Sequence, residues 1–168
     1  MKLESIDELF LHELQDLHSA EEQLVAALPK MAETASSEEL RQAFETHHEQ
    51  TQEHLERLQR ILDDLQLSAG RHKCKAMEGL IAEANEILQA DALDSVRDAA
   101  MIGAAQRVEH YEIAGYGTAR TYAEMLGYAE AAQLLQHTLD EEKETDELLS
   151  GLALSTVNVE AQNESELG

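Results

Sequence analysis

At 168 residues the chain suits one domain, and 43% of it is hydrophobic, enough for a sizeable core. One proline, no tryptophan and an abundance of Ala, Leu, Glu and Gln, all good helix formers, predict an all-α domain. Thirty-five acidic against 12 basic residues give a formal charge of −23; this speaks against nucleic acid and anionic membrane as partners, and most of the excess acid reads as solvated surface.

The opening stretch MKLESIDELF has no long apolar run, so neither a signal peptide nor a membrane span is expected. A first helix is predicted from Leu3 to Thr34, with Leu14, Leu17, Leu24, Leu28 and Met31 on one seam and a bend at Pro29. In TASSEEL, Ser36 and Glu39 have the spacing of a capping box that starts a second helix running to Leu67. Its seam is Leu40, Phe44, His47, Thr51, His54, Leu58, Ile61 and Leu65, apolar at both ends and polar in the centre.

QLSAGRHK breaks that helix. The single cysteine, Cys74, excludes an internal disulfide and fits a reducing cytoplasm, and its basic neighbours form no nucleophile signature. A short amphipathic helix follows, with Met77, Leu80, Ile81, Ala84, Ile87 and Leu88 on one side. Asp94 or Ser95 is positioned to cap a third long helix, which Gly127 ends; a fourth runs from Tyr128 to Thr156. Residues 1–158 thus form one helical domain and 159–168 a polar, frayed tail. Two hairpins joined by a long link with its own helix predict a four-helix bundle with one long crossover.

Each long helix interrupts its apolar seam near its middle: Glu21 in the first; His47, Thr51 and His54 in the second, with Gln50 beside them; Glu109 and Glu112 in the third; Glu142 in the fourth. Glu109 and Glu112 are three apart and share a face. In an antiparallel hairpin, residues equidistant from the turn lie at one height. Glu21 pairs with Gln50 about a turn at Ala35–Ser36, and Glu112 with Glu142 about Gly127. Each pair lies about fifteen residues, roughly 22 Å, from its turn, so both reach mid-bundle. Four carboxylates buried at one level must be protonated or matched by cations. Arg107 and Lys143 neighbour the acids but lie off the seam, so two divalent ions are the expected counter-charge. His47 and Gln50 would complete the coordination, His54 would lie one turn lower outside it, Asp146 could orient a ligand, and Tyr116 could hydrogen-bond a carboxylate. His12, His18, His48, His72, His110 and His137 read as surface or packing residues.

The stretches FLHELQDLHSAEEQLVAALPKMA, AFETHHEQTQEHLERL, CKAMEGLIAEANEIL, AAQRVEHYEIAGYGTARTYAEMLG and LDEEKETDELL resemble the YciE/YciF family and, more broadly, the ferritin-like superfamily with its rubrerythrins and bacterioferritins. The resemblance implies a ferritin-like fold, a homodimer, two iron ions with manganese as the alternative, and a link to stress. Carried over, Glu21, Glu109, Glu112 and Glu142 match the superfamily's carboxylate ligands. The second helix has Gln50 where a Glu-x-x-His motif would place its Glu, and the fourth has Thr145 where a His often stands. The function expected is a ferroxidase or a peroxide- or dioxygen-reducing oxidoreductase; the alternative is a non-catalytic helical dimer that binds a partner or buffers metal.

Overall fold

The computed structural model describes residues 3–166, and among them there is no strand. Helix α1 spans Ile6–Thr34, α2 Glu38–Asp64, α3 Lys75–Leu88, α4 Asp94–Leu126 and α5 Ala129–Leu152; a π-helical turn, Ala153–Val157, then leads into α6, Asn158–Glu166. No helix of the described residues is long and apolar enough to cross a membrane.

Helix α1 starts later than Leu3 because Ser5 caps it, its hydroxyl accepting from the Glu8 N–H at 3.2 Å. It continues unbroken through Pro29. The cap of α2 is Ser37, not Ser36: its hydroxyl accepts from the Leu40 N–H, while the N–H groups of Ser36 and Ser37 both donate to Asp98 of α4. Helix α2 ends at Asp64, short of Leu67, in a left-handed residue without a glycine. Gln66 adopts φ 55° while Leu67 donates to the Leu62 carbonyl and Gln66 to that of Asp63, a Schellman closure. Gly127, at φ 78°, closes α4 in the same way, as its sequence position predicts.

Neither Asp94 nor Ser95 caps α4. The Asp94 carboxylate is taken by Arg97 at 2.9 Å and the Ser95 hydroxyl by Glu164, leaving Leu93 as the residue before the helix with no side-chain cap. Beyond α5, residues 159–166 of the tail expected to fray are helical and α6 packs along α4, while 167–168 lie outside the described residues. Cys74 caps α3 through its thiol and is buried; its N–H donates to Ser19 and its carbonyl accepts from Gln23, so α3 is tied to α1.

Helices α1 and α2 pack as one hairpin and α4 and α5 as another; α1 also lies on α4, and α2 on α5, while α3 bridges α1 and α4. Gly115 lets α1 and α4 approach closely, since a Cβ there would stand 2.8 Å from the Leu17 side chain. The core falls into two apolar halves. One gathers Leu24, Leu28, Leu40, Phe44, Met77 and Met101; the other Phe10, Leu14, Leu17, Leu58, Ile61 and Leu135. The polar residues of every long helix lie between them, Glu21 between Leu17 and Leu24 and Glu142 between Leu139 and Leu149.

Asp98 is the tie between the hairpins at the α1–α2 turn. It is buried, and its two oxygens satisfy N–H groups that would otherwise be orphaned. Asp98→Ala is expected to lower the unfolding free energy by about 2 kcal/mol, read by urea denaturation; a loss within experimental error would show that water replaces it without cost.

Candidate metal centre

Glu21, His47, Thr51, His54, Glu109, Glu112 and Glu142 are all at most 3% exposed. Their positions follow from helix period: each stands one or two turns from apolar residues on the same buried face. Ligand atoms of His47, Glu109, Glu112 and Glu142 lie within 4.8 Å of one another, and so do those of Glu21, His54 and Glu142. The two groups share Glu142.

The atoms converge to ion-pair distances, but many lack a well-aligned hydrogen bond. His54 Nδ1 lies 2.9 Å from Glu142 Oε1 and 3.5 Å from Glu21 Oε1, and His47 Nε2 lies 3.2 Å from Glu109 Oε1. Yet His54 Nδ1, His47 Nε2 and both oxygens of Glu142 and of Glu112 have no hydrogen-bond partner of acceptable alignment, and neither do Glu21 Oε2, Glu109 Oε2 and His47 Nδ1. Buried polar atoms are almost always paired, so oxygens and imidazole nitrogens left over at one level offer lone pairs that a shared cation could take. The donor set fits divalent metal: four carboxylates and two imidazoles offer hard oxygen and borderline nitrogen, and two divalent ions would neutralise four ionised carboxylates.

The surrounding residues hold these donors in place. His54 Nε2 pairs with Glu141 Oε2 at 2.9 Å, which leaves Nδ1 facing Glu21 and Glu142. Arg57 grips Glu141 and also donates to Thr138 at 3.2 Å and Glu53 at 3.1 Å. The Tyr116 hydroxyl donates to Glu21 Oε1, leaving Oε2 free, and its ring packs edge-on to His54 with centroids 6.3 Å apart. Asp146 sits at the rim, accepting from Gln106 at 3.0 Å, and its charge is one of several that raise Glu109.

Electrostatics show how the metal-free centre balances itself. Burial, reinforced by the charge of Glu142, pushes the Glu109 and Glu112 carboxyls well above the ordinary range, and burial also raises Glu21. Burial would raise Glu142 too, but contact with His54 and the nearby His47 outweigh it and hold it low. Burial alone would lower His54; Glu142 and Glu21 override it and push its pKa up to about 10. His47, without such compensation, is lowered by burial. The upward shifts of Glu109, Glu112 and His54 favour their protonated forms, which lessens the negative charge gathered in the layer.

Several sequence expectations shift. His54, expected outside the donor set, has Nδ1 inside it. Gln50 is half-buried at the edge of the same α2 face, and Thr51 takes the buried position beside His47 and His54. The α1–α2 turn is centred on Ser36, not between Ala35 and Ser36, so hairpin symmetry pairs Glu21 with residue 51. The Thr51 and Thr145 hydroxyls both turn back onto their own helix, donating to the carbonyls of His47 and Glu141. Glu141 and Arg57 were missed. The signal available was the adjacency of Glu141 to Glu142, which puts it on the next face around the helix, toward α2. Of the histidines read as surface or packing residues, His72, His110 and His137 are exposed and His12, His18 and His48 half-buried.

The fold and the centre together define an all-helical protein whose waist is a buried carboxylate–imidazole cluster. The chain belongs to the family described as "Domain of unknown function (DUF892)", whose model matches residues 5–162. It is 50% identical to Protein YciF of Escherichia coli K12 over 166 residues, 98% of this chain and 100% of that protein. The crystal structure of the E. coli stress protein YciF superposes with a TM-score of 0.90 at 51% identity, covering 93% of this chain and 99% of that one. A putative structural protein from Rhodopseudomonas palustris, YcfI, gives 0.85 at 40% identity, covering 89% and 95%. A protein from Xanthomonas campestris pv. campestris gives 0.77 at 25%, covering 96% and 99%.

Two outcomes follow from the proton balance. Between pH 7 and 10 the native metal-free protein keeps a proton on His54 that the unfolded chain, with an ordinary value of 6.5, has lost; the raised Glu109 and Glu112 act in the same direction. Stability therefore falls as pH rises through this window, and the lowered His47 opposes the trend only below about 6.5. Thermal unfolding of chelator-treated protein at pH 7, 8, 9 and 10 reads this directly, and a flat profile would contradict it. Separately, Glu112→Met removes a carboxylate with two orphaned oxygens. It is expected to stabilise the metal-free protein by about 1–3 kcal/mol, seen as a rise in urea midpoint; a drop would mean that Glu112 is satisfied as it stands.

Proposed function

We propose that this chain is a ferritin-like four-helix bundle with a di-metal carboxylate centre, iron first and manganese second, that acts as an oxidoreductase under stress. The observation that supports this most is the pair of buried donor groups sharing Glu142, their oxygens and nitrogens left without hydrogen-bond partners. Glu21, His54 and Glu142 would hold one ion, and His47, Glu109, Glu112 and Glu142 the other. The donor total, four carboxylates and two imidazoles, is that of the di-iron bundles, but both imidazoles come from α2. When bound, such a pair supplies one-electron chemistry toward dioxygen or peroxide, that is, ferroxidase or peroxide-reducing activity.

The chain's own residues set the conditions for that chemistry. Burial of every donor excludes bulk water and strengthens each electrostatic contact. Glu141, locked by Arg57, fixes His54 in the tautomer that offers Nδ1 inward. Tyr116 steadies one oxygen of Glu21 and leaves the other for the ion. Loading displaces protons from Glu109, Glu112 and His54, so affinity rises with pH. The stress role rests on the similarity to YciF, a stress protein of E. coli. The protein would act in the cytoplasm as a homodimer, without nucleic acid or membrane as a partner.

The second reading, a non-catalytic helical protein that binds a partner or buffers metal, draws on the description of the R. palustris relative as a putative structural protein. Aerobic addition of ferrous iron with oxygen uptake monitored separates the two. Oxidation faster than in buffer, lost in Glu142→Ala together with metal uptake, is the expected outcome. Bound iron with oxidation no faster than in buffer would leave the buffering reading standing, and no bound metal would leave the structural one.

A further inference from the structure

Between α1, α3 and α4 lies a narrow, partly open cavity of about 20 Å³. Helix α3 walls it with Ile81, Ala84 and Leu88, and Leu24, Ala105 and Val108 form its floor. The floor residues are bound to the metal centre through their helices. Leu24 is one turn along α1 from Glu21, Ala105 is one turn along α4 from Glu109, and Val108 directly precedes Glu109. One turn is about 5.4 Å.

The lining gives water little to hold. Its one polar residue is Asn85, and part of that side chain is engaged elsewhere, its amide donating to the Ile81 carbonyl at 2.9 Å and its oxygen accepting from Lys30 at 3.1 Å. A buried water needs two to four polar partners, whereas apolar cavities of sufficient size stay dry and take up xenon and similar apolar guests. Alanines at 84 and 105 keep the space open where larger residues would close it at native packing density. We propose that this cavity is a binding site for a small apolar gas, dioxygen, lined by residues one helical turn along α1 and α4 from Glu21 and Glu109. The identity of the gas rests on the oxidative reading above; the gas site itself does not.

Xenon pressurisation of metal-free crystals tests the site without any activity. A xenon atom between α3 and the α1–α4 floor in the native protein, absent in Ala105→Leu, is expected; no xenon, or an ordered water in its place, overturns the proposal. In iron-loaded protein, Ala105→Leu is expected to raise the apparent KM for dioxygen several-fold while leaving kcat at saturating oxygen and the metal stoichiometry unchanged. A fall in kcat alone, or no change in KM, overturns the assignment of dioxygen. Ala84→Leu fills the same space from α3 and takes over the test if Ala105→Leu does not fold. Xenon in the cavity of a protein that oxidises no iron would uphold the gas site and remove the function it was paired with.

Discussion

The structure turns on one electrostatic constraint: four carboxylates meet in a layer from which water is excluded, and their charge must be matched there. The helices above and below that layer are ordinary amphipathic elements, packed through two apolar halves that need no special arrangement. The layer itself is costly. Burial favours the protonated forms of Glu109 and Glu112, while the His54 contact favours the ionised form of Glu142. A chain selected only for stability would fill these positions with leucine, which packs the seam at no desolvation cost. Retaining the acids makes sense when the layer receives something that protons only replace.

Rigid helices make this layer possible. The two hairpins are tied where Asp98 grips the α1–α2 turn, and α1 and α4 are drawn together where Gly115 faces Leu17. Those contacts fix the relative heights of Glu21, Glu109 and Glu112, so donors from four helices converge without any loop contributing one. The outer support is asymmetric. On the α2–α5 side, Glu141 and Arg57 form a charged brace behind His54; behind His47 no equivalent carboxylate stands, and its Nδ1 has no partner. The half of the centre containing His54 is therefore better preorganised than the half containing His47.

Helix α3 is more than a connection. It is fastened to α1 through Cys74, Ser19 and Gln23, and it lies over the seam between α1 and α4 instead of entering the polar layer. Helix α3 thus covers a stretch of α1 and α4 that includes Ala27, Ala104 and Ala105. That separates two tasks by location: polar side chains inside the waist, and apolar shielding with a small void above it.

Helix periodicity determined much of this molecule in advance. The steps of three and four along each helix set which residues face inward, Gly127 ended α4 where its freedom at positive φ is needed, and Glu21, Glu109, Glu112 and Glu142 were marked because an acid on an apolar face is conspicuous in any amphipathic pattern. What periodicity lacks is the rotation of one helix against another. Centring the α1–α2 turn on Ser36 pairs Glu21 in height with Thr51 rather than Gln50, and the approach of α2 to α1 and α5 brings His54 Nδ1 to Glu21 and Glu142. The caps were also decided by tertiary contacts: Asp98 takes the N–H groups of Ser36 and Ser37, and Arg97 takes the Asp94 side chain. Sequence alone determined that acids would be buried in three of the four long helices and histidines in the fourth; only the packed structure decided which atoms meet, since that depends on distances between helices that no local pattern encodes.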